Sequence, residues 1–435
     1  MKLNSILIII LAQILTFISV GQAPLSVEEA IQIGLENNYD IRIARNNEAI
    51  ATNNNTAGNA GFLPTASIFG SVNYSSNNSI QKFFSGQEQM RTGAGNTSVR
   101  AGATVNWTAF DGFKMYAVRD RLNLTEQKSK ALTRSEMQDL VFRIQSSYQD
   151  LIRINQQINN TLSSIQLNEA LYQLAGQKLN LGATTKLEVL QSANRVKADS
   201  AQLLNHQNQL GLLKISFNRL LLRDANMRFD VDTTFSAQLL PDYNSIVEMA
   251  LQQNSQLELL SYDEKIALAQ IKEARAQLFP TLDLNAGFNY NWSKAEAGFL
   301  LSNRTFGPTI GLSANYDIFT GKNLKKDIQN VELLQENIKL TRQQIEEDLK
   351  SQLASWYQNW QGLEDLKRIE ISNLLTAEQN TELARELYRS GRATNFEVRE
   401  AILNETQVKD RLSDTTYRQK LTEIEIFYLA GILIQ

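Results

Sequence analysis

The feature that most constrains this chain is that its second half repeats its first half. Three landmarks return in the same order: an Asn followed by an apolar-Pro pair, a Phe-x-Gly turn, and a Gly-x-x-Thr-x-x-Glu-Val segment. They are Asn38, Leu63-Pro64, Phe110-Asp-Gly112 and Gly182 to Val189 in the first half, and Asn254, Phe279-Pro280, Phe319-Thr-Gly321 and Gly391 to Val398 in the second. A repeated unit that cannot bury its own apolar surface must pack against copies of itself. The duplication therefore predicts an assembly.

Composition excludes several classes of function. The 435 residues carry 43 basic and 46 acidic side chains, for a net charge of −3, so the composition shows no sign of nucleic-acid binding. It contains no cysteine, which excludes disulfides, thiolate metal sites and cysteine nucleophiles. No cluster of residues has the spacing of a metal site or of a catalytic motif. We therefore predict a protein that is not an enzyme and that has no cofactor and no metal.

Residues 1–23 are predicted to be a signal peptide. Lys2 precedes an apolar run from Ile6 to Val20, and Gly21-Gln22-Ala23 has the small-x-small pattern of a cleavage site. The alternative is an N-terminal anchor helix. No later segment has the 18 or more apolar residues of a membrane-spanning helix. An exported chain of this kind is periplasmic, secreted, or a β-type outer-membrane protein.

Four segments alternate apolar and polar residues, as strands with two different faces do. They form two predicted hairpins, residues 64–110 and 280–319, with polar loops at 75–97 and 293–307. The polar positions are mostly Asn, Thr, Ser and Gly, which a wet channel interior tolerates, and the alternative is a half-buried sheet in a soluble protein. The positions that we predict to face lipid in the second hairpin are Leu282, Leu284, Phe288, Ile310, Leu312 and Ile318.

The remaining residues are predicted to be helical. Proline-free runs begin after Gly112 and Gly321, and each helix pair, 112–222 and 321–430, turns at Gly182 or Gly391. Helices of about 70 residues reach ~100 Å. Each hairpin follows a single predicted helix, over 27–61 and 245–278, and a short strand is predicted within 228–235. The predicted repeats are residues 24–222 and 243–435, joined by a linker at 223–242.

Four strands cannot close into a barrel. A sheet in the hydrocarbon core must leave no unpaired edge, and the known transmembrane barrels begin at about eight strands. The chain must therefore pool strands with copies of itself. Three copies give twelve strands, whereas two give a narrow barrel filled by side chains.

The duplicated helix, hairpin and helix-pair pattern, with its paired Gly-x-x-Thr-x-x-Glu-Val tips, resembles the TolC-like outer-membrane efflux proteins. The resemblance implies a mainly α-helical fold with transmembrane β-structure. Long helical hairpins would form a periplasmic α-barrel, and four strands from each chain would form a trimeric twelve-stranded β-barrel. It also implies docking of a periplasmic adaptor at the helix tips, by residues that here are Gly182, Thr185, Gly391, Arg392 and Thr394.

The resemblance also assigns residues to a gate at the tips. Acidic residues ring the constriction in the family, and the matching positions here are Glu397 and Glu400. A tyrosine of the second tip and an acidic residue of the first are linked, and these are Tyr388 and Glu188. The arginine that joins this link in the family falls at Ala393, so adjacent Arg392 is the candidate substitute. In the alternative interpretation the glutamates are solvated helix charges and Tyr388 is a packing residue.

We therefore predict a homotrimeric exit channel in the outer membrane, with a periplasmic extension. It would receive cargo from an adaptor and an inner-membrane transporter, as part of a tripartite efflux pump or a type I secretion system. The alternatives are a periplasmic coiled-coil scaffold or adaptor without a pore, and a stand-alone diffusion porin. The sequence does not specify the cargo.

Overall fold

The computed structural model describes residues 24–232, 240–298 and 300–433, and the predicted signal peptide lies outside these residues. The chain divides into two compact units. Unit 1 falls within Met1–Ala44, Leu132–Glu258 and Gln344–Gln435, and unit 2 comprises Arg45–Ala131 and Leu259–Gln343. Both units therefore take residues from both halves of the chain. Among the described residues, no helix has the length and apolar character needed to span a membrane.

Long helices make up most of the described chain. In the first half they are α1 (Val27–Asn37), α2 (Tyr39–Asn54), α3 (Lys114–Asn180) and α4 (Lys186–Leu220). In the second half they are α5 (Tyr243–Gln253), α6 (Ser255–Ala276), α7 (Asn323–Arg389) and α8 (Asn395–Leu429). Helices α3 and α7 have 67 residues each, which corresponds to about 100 Å of helix.

The single helices predicted over 27–61 and 245–278 were wrong, because each segment breaks at an asparagine. Asn38 separates α1 from α2, and Asn254 separates α5 from α6. Asn254 Oδ1 accepts hydrogen bonds from the backbone N–H groups of Gln256 (3.0 Å) and Leu257 (3.2 Å). Such a side chain satisfies the free N–H groups of a new helix, so it favours a restart over a continuous helix.

Four antiparallel strands form one sheet, in the order β1 (Thr65–Lys82), β2 (Glu88–Phe110), β3 (Thr281–Ala295) and β4 (Ser302–Asn315). The polar loops predicted at 75–97 and 293–307 were too long. Strand β1 continues to Lys82 and β2 begins at Glu88, while β3 continues to Ala295 and β4 begins at Ser302. Ser, Asn and Thr stay paired there in a ladder of backbone hydrogen bonds. Ile318 was wrongly placed in a strand, because β4 ends at Asn315.

The strand register places the apolar positions on one face of the sheet. Phe288 lies opposite Ala103 of β2 and Pro308 of β4. Residues directly opposite each other project to the same face, and successive residues alternate between faces. The neighbouring Gly287 therefore belongs to the other face, where its partners include Thr309. One face of the sheet is thus mainly apolar and the other mainly polar.

The strand predicted within 228–235 is absent from the described part of that segment. Instead, Val231 makes a single parallel bridge with Leu25. Residues 233–239 lie outside the described residues.

Two similar hydrophobic clusters form in unit 1, one from each half of the chain. Tyr148 and Phe217 pack between α3 and α4 in the first, and Leu353 and Ile426 pack between α7 and α8 in the second. Polar pairs also join α3 to α8 within this unit. Apolar contacts thus hold each helix pair, and the two pairs are joined both by hydrogen bonds and by a further apolar cluster.

Candidate functional site

The first helical hairpin turns at Gly182, in the segment that we define as the first tip (residues 178–188). Gly182 has φ of 71°, in the left-handed region that a residue with a Cβ enters only at a cost. The N–H of Ala183 donates to the carbonyl of Lys178 at 2.8 Å, which closes the last turn of α3. Thr185 then caps α4, accepting a hydrogen bond from the N–H of Glu188 at 3.3 Å.

The second tip (residues 387–397) has the same construction. Gly391 has φ of 78°, and the N–H of Arg392 donates to the carbonyl of Leu387 at 2.8 Å. Thr394 caps α8 and forms a capping box with Glu397. The predicted tip residues therefore lie at the two turns, each in a role that its residue type suits.

The structure brings the predicted gate pair together. Tyr388 is 3% exposed and belongs to a buried cluster with Leu171, Val398 and Ile402. Its hydroxyl donates to Glu188 Oε2 at 3.5 Å, which is the limit for a hydrogen bond. The pKa of Tyr388 is raised, mainly because the side chain is buried. Its hydroxyl therefore stays protonated and can donate. The tyrosine thus combines the packing role with a weak link to the first tip.

The two glutamates predicted to ring the constriction differ in their contacts. One Glu397 carboxylate oxygen accepts from the Thr394 N–H at 2.6 Å and from its hydroxyl at 2.9 Å. These hydrogen bonds, the backbone one first, lower the pKa of Glu397, so it is ionised at neutral pH. Glu400 is exposed and makes no hydrogen bond or ion pair with the described residues. Both can present a negative charge at the second tip.

The candidate substitute for the family's arginine does not reach the gate pair. Arg392 Nε donates to Ser390 Oγ at 3.3 Å, within its own tip, and Ala393 packs against the buried cluster. The cation that contacts Tyr388 is instead Lys178 of α3. Its Nζ donates to the Tyr388 carbonyl and lies 3.7 Å from the centroid of the ring. No sequence signal distinguishes this lysine from the other charges of a polar helix.

A buried polar pair also joins α4 to α8 close to the tips. Asn395 Nδ2 donates to Ser192 Oγ at 3.1 Å, and both residues are 1% exposed. The sequence analysis missed this contact, because neither side chain stands out in a helix rich in polar residues. Buried polar groups that bond one another fix the register of the two helices.

The sheet of unit 2 exposes the apolar face that its register defines. Ile310 is 85% exposed and Ile68 is 89% exposed. Of the other positions predicted to face lipid, Leu284, Phe288 and Leu312 are exposed and lie in strands, whereas Leu282 is half-buried. Large apolar side chains left exposed together mark a surface that something apolar covers.

The described residues contain no group of His, Asp and Glu side chains that could hold a metal ion. Most of the chain matches a known protein family. The family profile "Outer membrane efflux protein" matches residues 30–220 and 246–431. The chain belongs to this family.

Because proteins of this family are outer-membrane proteins, the match places the chain in the outer membrane, as predicted. The resemblance seen in the sequence is thereby confirmed. No curated protein matches the chain in sequence.

Solved structures match the fold at low sequence identity. The structure of CusC has a TM-score of 0.76 and 18% identity, and the match covers 93% of this chain and 92% of that one. For VceC from Vibrio cholerae the TM-score is 0.74, the identity 16% and the coverage 93% and 96%. For CmeC of Campylobacter jejuni, an outer membrane channel, the TM-score is 0.73 and the identity 14%, and the match covers 94% of this chain and 86% of that one. The predicted fold class, long helical hairpins with a four-strand contribution to a β-barrel, is confirmed.

Proposed function

We propose that this chain is the homotrimeric exit channel of a tripartite efflux pump or a type I secretion system. It passes cargo from an inner-membrane transporter and a periplasmic adaptor to the exterior of the cell. Family membership supports an outer-membrane efflux role. The trimer, its partners and the gate are our inference.

The observation that carries the proposal is a four-stranded sheet with an exposed apolar face and two open edges. The strand order leaves β1 and β4 at the edges, unpaired on their outer sides among the described residues. An unpaired edge in hydrocarbon costs several kcal/mol for each lost hydrogen bond. Pairing β1 of one copy with β4 of the next removes every edge, and three copies make a barrel of about twelve strands.

The height of the apolar face suits a bilayer. In β3 the alternating apolar positions run from Leu282 to Trp292. Eleven residues tilted by about 40° rise roughly 25 Å, which is the height of the apolar band in outer-membrane barrels. The polar face, with Asn285, Asn289 and Asn291, would then line the interior.

The helix tips supply the gate and the docking site. Glu397 and Glu400 from three copies would crowd carboxylates around one axis, which attracts cations and disfavours anions. The turn residues Gly182, Thr185, Gly391, Arg392 and Thr394 would meet the adaptor. Transport energy would come from the transporter, because no site for energy conversion is evident among the described residues.

The alternatives explain less. A periplasmic scaffold without a pore has no use for exposed Phe288 and Ile310 on one face of a sheet. A stand-alone porin has no use for helices of 67 residues.

Planar-bilayer recording tests the proposal. The purified protein should insert and show a small, cation-preferring conductance that rises when Tyr388 is replaced by Ala. Protein that extracts without detergent and never produces conductance would contradict the proposal, and so would a fully open pore unaffected by the tips.

A further inference from the structure

One lysine of the first tip contacts the second tip in two ways. Lys178 lies in the last turn of α3. Its Nζ donates a hydrogen bond to the backbone carbonyl of Tyr388 and also lies 3.7 Å from the centroid of the Tyr388 ring. A single ammonium group therefore contacts both the main chain and the side chain of one residue on another helix.

Both contacts suit the chemistry of an ammonium group. Tyr388 is in the last turn of α7, where the helix dipole attracts a positive charge. Its carbonyl accepts one hydrogen bond from the Gly391 N–H at 3.1 Å, and its second lone pair accepts from the ammonium group. The face of an aromatic ring attracts a cation as well, more strongly when the ring is withdrawn from water. Tyr388 as a whole residue is 3% exposed, so its ring is withdrawn from water. The site at the end of α7 is thus built for a cation, and α3 supplies one.

The other end of Tyr388 is held by the same hairpin. Its hydroxyl donates to Glu188 of α4, while Lys178 of α3 holds its carbonyl and ring. Glu188 in turn accepts a hydrogen bond from the Thr184 hydroxyl. Tyr388 is therefore held at both ends by the first tip, and opening a gate between the tips would have to break both contacts.

The first half alone provides this cation. The position equivalent to Lys178, 209 residues later, is Leu387. The two carbonyls act alike, since that of Lys178 accepts from Ala183 and that of Leu387 accepts from Arg392, both at 2.8 Å. The side chains differ, because one is a lysine and the other a leucine. Both halves therefore have the same turn, but only the first half has a positive charge at this position.

Two arginines near Tyr388 in the chain, Arg385 of α7 and Arg392 of the second tip, are engaged elsewhere. Arg385 Nη1 donates to Glu382 at 3.0 Å, and Arg392 Nε donates to Ser390. In the contacts that the described residues make, Lys178 is the cation found at Tyr388.

We propose that Lys178 is a positioning residue that holds the two helical hairpins together at the closed gate. The inference deepens the proposed function and depends on it. Any condition that removes the charge or displaces the ammonium group frees the end of α7 and opens the tips.

Conductance measures the effect on the gate. Lys178→Met keeps much of the apolar stem and removes the charge, and Lys178→Gln is a second variant in case the first folds poorly. The matched control is Lys186→Met, in the first turn of α4 at the same tip, since Lys186 is exposed and its ammonium group makes no hydrogen bond, ion pair or ring contact with the described residues. We expect both Lys178 variants to conduct at least twofold more than the wild type and the control. Equal conductance in all of them would overturn the proposal.

A coupled variant separates this contact from a general loss of stability. In a Tyr388→Ala background, which lacks the ring, Lys178→Met should raise the conductance by a smaller factor than in the wild type. Equal factors in the two backgrounds would show that Lys178 does not act through the Tyr388 ring, and would overturn the proposal as stated because only the carbonyl contact would remain.

A distance measurement distinguishes failure of this inference from failure of the channel function. The chain has no cysteine, so spin labels at Leu181→Cys and Ser390→Cys report the separation of the tips whether or not the protein conducts. Lys178→Met should lengthen or broaden the distance distribution, and Lys186→Met should leave it unchanged. A distribution unchanged by Lys178→Met refutes the role proposed for Lys178, whereas a wild-type protein that never conducts refutes the channel function instead.

Discussion

The side-chain amide of Asn254 donates a 2.9 Å hydrogen bond to the carbonyl of Leu429, the last residue of α8. The same asparagine caps α6, so it joins the end of one helix to the start of another. Asn38 occupies the equivalent place in the first half, where its amide donates to the carbonyl of Leu220 at 3.5 Å. The repeated asparagine that helped to reveal the duplication thus links two helices, once in each half of the chain.

Replacing Asn254 by Ala should destabilise the protein by about 1–2 kcal/mol, since an N-cap of this kind contributes about that much. Thermal unfolding followed by circular dichroism measures the loss. Asn38→Ala is the matched control, and its longer hydrogen bond predicts a smaller effect. If Asn38→Ala lowered the free energy of unfolding more than Asn254→Ala, the hydrogen-bond length would not reflect the contribution of these asparagines to stability.

Alkaline pH should weaken the contact between α3 and α8. Tyr417 Oη donates to Asp150 Oδ1 at 2.7 Å, and burial, followed by this hydrogen bond, raises the pKa of Tyr417 to about 12. A tyrosine pKa that is higher in the folded state gives stability that is complete below about pH 10 and lost as the pH rises toward 12.

Unfolding free energies measured between pH 8 and pH 12 test this. The wild type should lose stability across the interval above pH 10, and Tyr417→Phe should lose less because it cannot ionise there. Identical pH profiles would contradict the assigned cause.

Neutralising the tip carboxylates should reduce cation preference. Gln at position 397 keeps the capping box, because an amide oxygen can also accept from the Thr394 N–H. Glu397→Gln and Glu400→Gln therefore test charge without removing the cap. Reversal potentials in a salt gradient should shift toward zero in each variant and further in the double variant. Unchanged reversal potentials would assign both glutamates to helix capping and solvation alone.

An arginine on the apolar face of the sheet should be costly. Phe288→Arg places a charge where we propose lipid, at a cost of about 2–4 kcal/mol near the bilayer midplane. Asn289→Arg is the control, because the adjacent position lies on the polar face. Recovery of folded protein from outer membranes should fall for the first variant and stay near normal for the second. Equal recovery would mean that the apolar face does not meet lipid.

The sequence predicted much of the fold because its strongest signals are local and repeated. Alternation over β3 and β4 indicated two-faced strands, and glycines followed by a capping threonine marked both tips. Asn38 and Asn254 were recognised as repeated residues, but their role was missed. Such a residue interrupts a helix when its side-chain oxygen accepts from the N–H groups that follow it, as Asn254 does from Gln256 and Leu257, and residue type alone does not predict this.

The misplaced strand ends and the overlooked Lys178 have a similar origin, since both depend on contacts between distant parts of the chain. Ser, Asn and Gly between 75 and 97 have weak strand propensity, yet β1 and β2 pair through most of that segment. Pairing with a neighbouring strand outweighs propensity there. For the gate, the pair Tyr388 and Glu188 came from a family pattern, while Lys178 became visible only when two helices from different halves were placed side by side.

The claim on which the account depends is that one chain owns too few strands to seal itself and must share a barrel with its neighbours. Native mass spectrometry of the detergent-extracted protein counts the copies directly. We predict one dominant particle that contains three chains and dissociates into single chains only on denaturation. A particle that contains a single folded chain, stable at every concentration, would contradict the account.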